Sequence, residues 1–246
     1  MYSGDYHTHT TLSHGSGSLE DNIKAAIAAG LKEIAITDHG FGHRTYAVKR
    51  KDWYGARADI ALLRKQYPQI KIMLGLECNI ISARGDVDLL EGERDTLDIM
   101  VCGFHKLVKA NSMRDGFGFC LPNLMGAKSS RAVVKNTDAY IKLIEKHSVD
   151  IISHLNYSIV TDAVEVARAC REYGVFLELN GKRINLTDAE IEKITEEGTQ
   201  FIVDSDAHSP QKVGDFAVPQ SVIDRIKIPE VQIANLNKTP KFRSVK

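Results

Sequence analysis

Nine side chains able to ligate a transition metal recur along this chain, nearly all at one kind of position. They are His7 and His9 in DYHTHT, His14 in SHGSGS, His39 in ITDH, Glu77 in LGLE, His105 in GFH, His154 in ISH, and Asp206 and His208 in SDAH. All but His14 close or follow a short apolar run that reads as a strand. Imidazole and carboxylate are the ligands of zinc, manganese and iron. His7 and His9 stand two residues apart, as do Asp206 and His208, so in an extended chain each pair points to one face. Glu77 ends an apolar run, where a carboxylate is costly unless paired or metal-bound. Its two oxygens can bridge two cations, which an imidazole cannot do. The set predicts a metal-dependent hydrolase.

Other residues are expected near such a centre. The glycines around His14 let the backbone bend toward a metal. Asp38, beside His39, is expected to orient a histidine through its other ring nitrogen; Asp204, at the parity of Asp206, is a weaker candidate for the same role. Arg44 is the candidate to meet a phosphate oxygen and steady a leaving oxygen. Lys106, Asn180 and His43 are candidate substrate contacts. Each has a plainer alternative: a solvated charge, a structural amide and a loop histidine. Lys182 and Arg183 also follow a strand and read as solvated charges, as does His147 at the end of a helix.

Gathering these residues requires strands whose ends converge. Short β-branched runs alternate with amphipathic stretches, the pattern of β–α units on a parallel sheet. Strands are predicted over 2–7, 33–37, 71–76, 98–104, 149–153, 175–179 and 200–203. Helices are predicted over 19–29, 53–66, 131–147, 161–173, 187–196 and 219–226, with a capping box at Thr187 and Glu190. Seven strands are one fewer than a standard barrel, yet ligands follow six of them. An open sheet would leave the outer ligands too far apart to share metals. The expected fold is therefore α/β, a distorted seven-stranded TIM-like β/α barrel, forming a single domain over 1–246. The Gly-, Asn- and Ser-rich stretch 106–130 is expected to be a lid loop over the mouth; the alternative is an excursion packed on the barrel flank. Residues from 229 onward are expected to form a short strand and a frayed end.

Composition narrows the partners. Lys plus Arg equals Asp plus Glu at 32 each, so no basic field argues for nucleic acid or an anionic membrane. No two of the four cysteines stand at C-x-x-C spacing, which speaks against a cysteine zinc site and for reduced, structural thiols. Met1 leads almost at once into the strand carrying His7, leaving no room for a signal peptide, and no apolar run reaches the length of a membrane span. A cytoplasmic location is expected. Self-association is neither specified nor opposed by the sequence.

The ordered motifs HTH with His14, TDH, the strand-ending Glu77, GFH, ISH and SDAH resemble the polymerase and histidinol phosphatase (PHP) superfamily from Asp5 to about Gly214. Length and a histidine at position 14 look most like its small stand-alone bacterial phosphatases. The resemblance implies a trinuclear site: His7, His9, Glu77 and Asp206 on one metal, His14, His39 and His208 on a second, and Glu77, His105 and His154 on a third. It also implies the seven-stranded barrel, and two to three zinc, manganese or iron ions. The implied activity is hydrolysis of a small phosphate monoester by metal-activated hydroxide, with Glu77, Asp206 and Arg44 closest to the chemistry. Histidinol phosphate is one substrate this allows. A PHP-type nuclease, an amidohydrolase-like enzyme and a non-catalytic metal-binding module remain as alternatives at this stage.

Overall fold

Parallel pairing passes unbroken from each strand to the next in chain order, so the strand ends of the whole sheet face one way. The structure, a computed structural model, describes residues 1–243. The strands are β1 (Gly4–Asp5), β2 (Glu33–Ile36), β3 (Lys71–Asn79), β4 (Ile99–Gly103), β5 (Ile151–Ile152), β6 (Phe176–Asn180) and β7 (Phe201–Asp204), in spatial order 1 to 7. The helices are α1 (Leu19–Ala28), α2 (Arg50–Gln66), α3 (Ser130–Lys146), α4 (Ala163–Tyr173), α5 (Asp188–Glu196) and α6 (Ala217–Ile226), besides shorter turns. The expected barrel is present. No helix among the described residues is long and apolar enough to cross a membrane.

The period-two alternation of β3 sorts its side chains. Leu74 and Leu76 join the layer between sheet and helices, whereas Met73 joins Tyr6, Ala35, Ile99, Val101, Ile151 and Ile202 inside the barrel. Glu77 and Asn79 share the inward parity of Met73 and stand above it. Gly75 lies between them because a Cβ there would sit 2.2 Å from the Ile99 carbonyl oxygen. The strand therefore runs three residues beyond its predicted end, and Glu77 lies within it rather than at its tip. Helix signals behave as expected: Thr187 and Glu190 form the capping box of α5, and Gly174, at φ 68°, ends α4.

The barrel closes between β1 and β7 largely through side chains. Thr8 bridges Ala207 in parallel, and the His9 N–H donates to the Ala207 carbonyl at 2.8 Å. Below that, the Tyr6 N–H donates to Asp204 Oδ1 at 2.7 Å, while the Ser205 N–H and hydroxyl donate to Asp5 at 3.0 and 2.5 Å. Asp204 thus belongs to the seam and does not orient a histidine. Burial pushes both carboxyls upward, Asp5 to about 6 and Asp204 well above its usual range, the latter also because Asp5 lies beside it.

Two expectations about loops change. About half of stretch 106–130 is helical, with a turn at Met113–Asp115, a π-turn at Gly116–Cys120 and a turn at Leu121–Leu124. It is pinned to the flank by a bidentate Arg84–Asp115 pair at 3.1 and 3.0 Å and by reciprocal amide hydrogen bonds between Asn123 and Asn136 at 2.9 Å. Lys106 and Leu107 of this stretch line the main cavity, and its helical turns pack against the barrel flank. The segment after 229 is ordered through most of its length. Ile233 bridges Phe201, Asn235 is fully buried, and Phe242 packs edge-on against Tyr6 at 4.9 Å beneath the barrel. Residues 244–246, the rest of the predicted frayed end, lie outside the described residues.

Candidate metal centre

The same parity that lifts Glu77 brings the other donors to one rim. His7, His9 and Asp206 offer ligand atoms within 4.8 Å of one another, as do His39, Glu77 and His105, and His9, His39 and His208. His9 and His39 each belong to two of these groups. His14 stacks on His39 at a centroid distance of 4.8 Å and meets His208 edge-on at 4.2 Å. His154 Nε2 lies 2.6 Å from Glu77 Oε1. All nine expected donors therefore converge. His39 stands between two of these groups, one with His9 and His208 and one with Glu77 and His105.

Several of these buried atoms lack a hydrogen-bond partner. His39 Nδ1 stands 2.9 Å from Glu77 Oε2, yet both are buried without a hydrogen bond of good geometry, and His9 Nδ1 is likewise unpartnered. Buried polar atoms left unpaired are rare and need a cause. A cation among them would supply the missing partner. Lys182 supports this, because its ammonium reaches into the cluster, 3.2 Å from Asp206 Oδ1 and 2.6 Å from His208 Nδ1. The donor set fits divalent transition metals, being rich in imidazole with two carboxylates and no thiolate.

Residues around the cluster fix which nitrogens face inward. His7 Nδ1 lies 2.6 Å from Glu178 Oε1; a carboxylate only accepts, so Nδ1 carries the hydrogen and Nε2 is left for a metal. His105 Nδ1 donates to Asn79 Oδ1 at 2.9 Å, and Asn79 Nδ2 donates to Asp88 at 2.6 Å, which fixes the amide's orientation. The other oxygen of Glu178 accepts the His154 backbone N–H at 2.6 Å. That bond holds His154 at φ 25°, a left-handed conformation that costs on the order of 1–2 kcal/mol. Asp206 is left-handed too, at φ 52°.

Charge follows the same geometry. Burial opposes ionisation of Glu77, but His105, His7 and His154 hold its carboxyl well below the usual range. Burial works against protonated His7, yet Glu77, Glu178 and Asp206 raise it well above an ordinary imidazole. Burial lowers His39 to about 3 and His14 to about 4, which leaves both neutral and able to ligate near pH 7.

Glu178 and Asn79 are the functional residues the sequence reading missed. In FLELN, Glu178 sits between Leu177 and Leu179 in a strand, and it is 3% exposed. Such a carboxylate needs a partner. Glu178→Gln is expected to weaken metal affinity roughly 10–100-fold, because one amide oxygen cannot accept from both His7 and the His154 backbone. A metal titration followed by calorimetry checks this; an unchanged dissociation constant would refute it.

The remaining expectations are sorted by the main cavity, about 570 Å³, above the donors. His43 and Lys106 line it as expected. Asn180 lines it too, and its Nδ2 donates to Glu178 and Asp206 while its Oδ1 accepts from the backbone of Lys182 and Arg183. Arg44 does not line it. It borders a smaller, apolar cavity of about 280 Å³ with Leu107 and Cys120. Lys182 is the cation the fold delivers to the cluster. Asp38 orients no histidine. It accepts from the Thr10 N–H and hydroxyl, both at 2.7 Å, and from Ser13 at 2.5 Å, holding the turn that carries His14.

A buried cluster of imidazoles and carboxylates at the mouth of a β/α barrel is the architecture of a metal-dependent hydrolase. The PHP domain model matches residues 5–189, and the chain belongs to that family. It is 29% identical over 250 residues to a "Probable phosphatase" of Edwardsiella ictaluri, covering 96% of this chain and 90% of the relative. It is 30% identical over 251 residues to one of Shewanella baltica, covering 98% and 88%. The fold is similar to that of the histidinol phosphate phosphatase of Lactococcus lactis, solved with zinc, L-histidinol and phosphate (TM-score 0.63, 15% identity, 93% and 95% of the two chains). The protein is a metal-dependent phosphoesterase.

Proposed function

We propose that this chain hydrolyses small phosphate monoesters at a centre of two to three divalent cations. The observation that carries this reading is the overlap of the donor groups, with buried, unpartnered polar atoms around Glu77. His7, His9, Glu77 and Asp206 would hold one cation; His14, His39 and His208 a second; Glu77, His105 and His154 a third. Zinc, manganese and iron all suit these donors. When bound, such cations lower the pKa of water toward neutrality and offset phosphoryl charge.

The chain's own groups supply the rest. Glu178 and Asn79 hold His7 and His105 with Nε2 free, so those donors need no rearrangement. Lys182 stands beside Asp206, where its charge favours phosphoryl oxygens. His43 accepts the Tyr46 N–H at Nδ1 (3.1 Å), and burial lowers it to about 4. It is therefore neutral, with an Nε2–H to donate to substrate oxygen. The cavity suits a small ester, and the free state of Cys78, Cys102, Cys120 and Cys170 suits the cytoplasm.

The test is purified protein, stripped of metal and reloaded with manganese or zinc, assayed on a chromogenic phosphate monoester. Turnover that requires the ion and disappears with chelator is expected. No metal-dependent turnover, with His9→Ala indistinguishable from the parent, would sink the proposal.

A further inference from the structure

The cavity wall beyond the donor cluster is one-sided in charge. Its only carboxylates, among the described residues, are Glu77 and Asp206, both within the cluster. Three cations share the wall: Lys106 just beyond β4, and Lys182 and Arg183 just beyond β6. Lys182 is committed to Asp206. The side chains of Lys106 and Arg183 have no protein acceptor among the described residues. Asn185, on the same wall, has a buried Nδ2 donor with no acceptor. Tyr46 and Tyr157, 45% and 54% exposed, flank the opening beside His14 and His154.

Two exposed cations alone are ordinary surface. Here they approach one cavity from different strand ends, with an unsatisfied donor and no opposing charge. With Glu77 and Asp206 taken up at the centre, no carboxylate on the wall is left to pair with an ammonium group. From this, and resting on the phosphatase reading above, we infer that the substrate is a phosphate monoester carrying a second anionic group, a carboxylate or another phosphate, bound by Lys106 and Arg183. An ammonium-bearing ester such as histidinol phosphate meets only like charge there and is discriminated against.

The experiment compares alkyl phosphates of two to five carbons whose far end is a carboxylate, a methyl or an ammonium, with the full chain loaded with manganese. The carboxylate ester is expected to exceed the methyl ester in kcat/KM by about tenfold or more, and the ammonium ester to be the poorest. Lys106→Met and Arg183→Met are each expected to shrink the carboxylate-to-methyl ratio toward one. The matching phosphonates, titrated by calorimetry, report the same ranking without turnover. Turnover with a flat ratio, or a preference for the ammonium ester, would overturn the anionic subsite and leave the phosphatase reading intact. No turnover together with tighter binding of the carboxylate phosphonate would retain the subsite and reject the phosphatase reading. Neither turnover nor a binding preference would overturn both.

Discussion

Glu77→Gln is expected to lower kcat/KM on phosphate monoesters by on the order of 10³-fold or more and to reduce the metal bound per chain. The side chain is fully buried, and its two oxygens face different neighbours. Oε1 lies 2.6 Å from His154, 3.2 Å from His105 and 3.4 Å from His7, while Oε2 lies 2.9 Å from His39. The other carboxylate of the cluster, Asp206, touches fewer of the imidazoles. An amide of the same shape keeps one acceptor but loses the negative charge and turns an N–H₂ toward groups that are themselves acceptors. The fold should survive, because the two side chains match in volume. Steady-state kinetics with elemental analysis of the bound metal check the result. A variant within tenfold of the parent and with full metal content would show that Glu77 is not the hub.

The second large effect lies far from the centre. Asn235→Ala is expected to destabilise the protein by about 3–5 kcal/mol. Asn235 Oδ1 accepts the Val203 N–H at 3.1 Å, and Nδ2 donates to the carbonyls of Val203 and Gly4 at 2.7 and 3.1 Å. The amide thus stands in for a stretch of strand, pairing with β7 and β1 together, and its own carbonyl accepts the Ser3 N–H at 2.8 Å. Alanine would leave three buried backbone groups unpaired, each costing about 1–3 kcal/mol. Urea unfolding of the metal-free protein measures this, and a loss below about 1 kcal/mol would mean that water or a backbone shift fills the place of the amide.

Much of this was legible in the sequence. Seven strands, six long helices and nine donors stood out because period-two runs and histidines at strand ends leave a pattern that one chain displays by itself. Glu77 stood out as a carboxylate among apolar neighbours; Glu178 meets the same criterion, but it lies mid-strand rather than at an end, where ligands were sought. Asn79 is an ordinary polar residue until His105 is placed above it. Arg44 and Lys182 both follow strands, and only the path of their loops decides which one reaches the cluster. The 106–130 excursion has loop-like composition, yet Ser112 caps its first turn and Arg84 anchors it from a distant segment. Asp5, Asp204 and Asn235 close the barrel through side chains that replace backbone partners, and no periodicity reports such a substitution.

That closure sets an order on biosynthesis. The segment bearing His7 and His9 is translated well before its partners Asp204, Ser205, Ala207 and Asn235. Until they emerge, the first two imidazoles have no fixed position and the cluster lacks Asp206 and His208. Ion capture at the complete site must therefore wait for the segment that carries Asp206, His208 and Asn235, so a chain truncated before Asn235 would lack both the stability of the seam and a lasting hold on its cations.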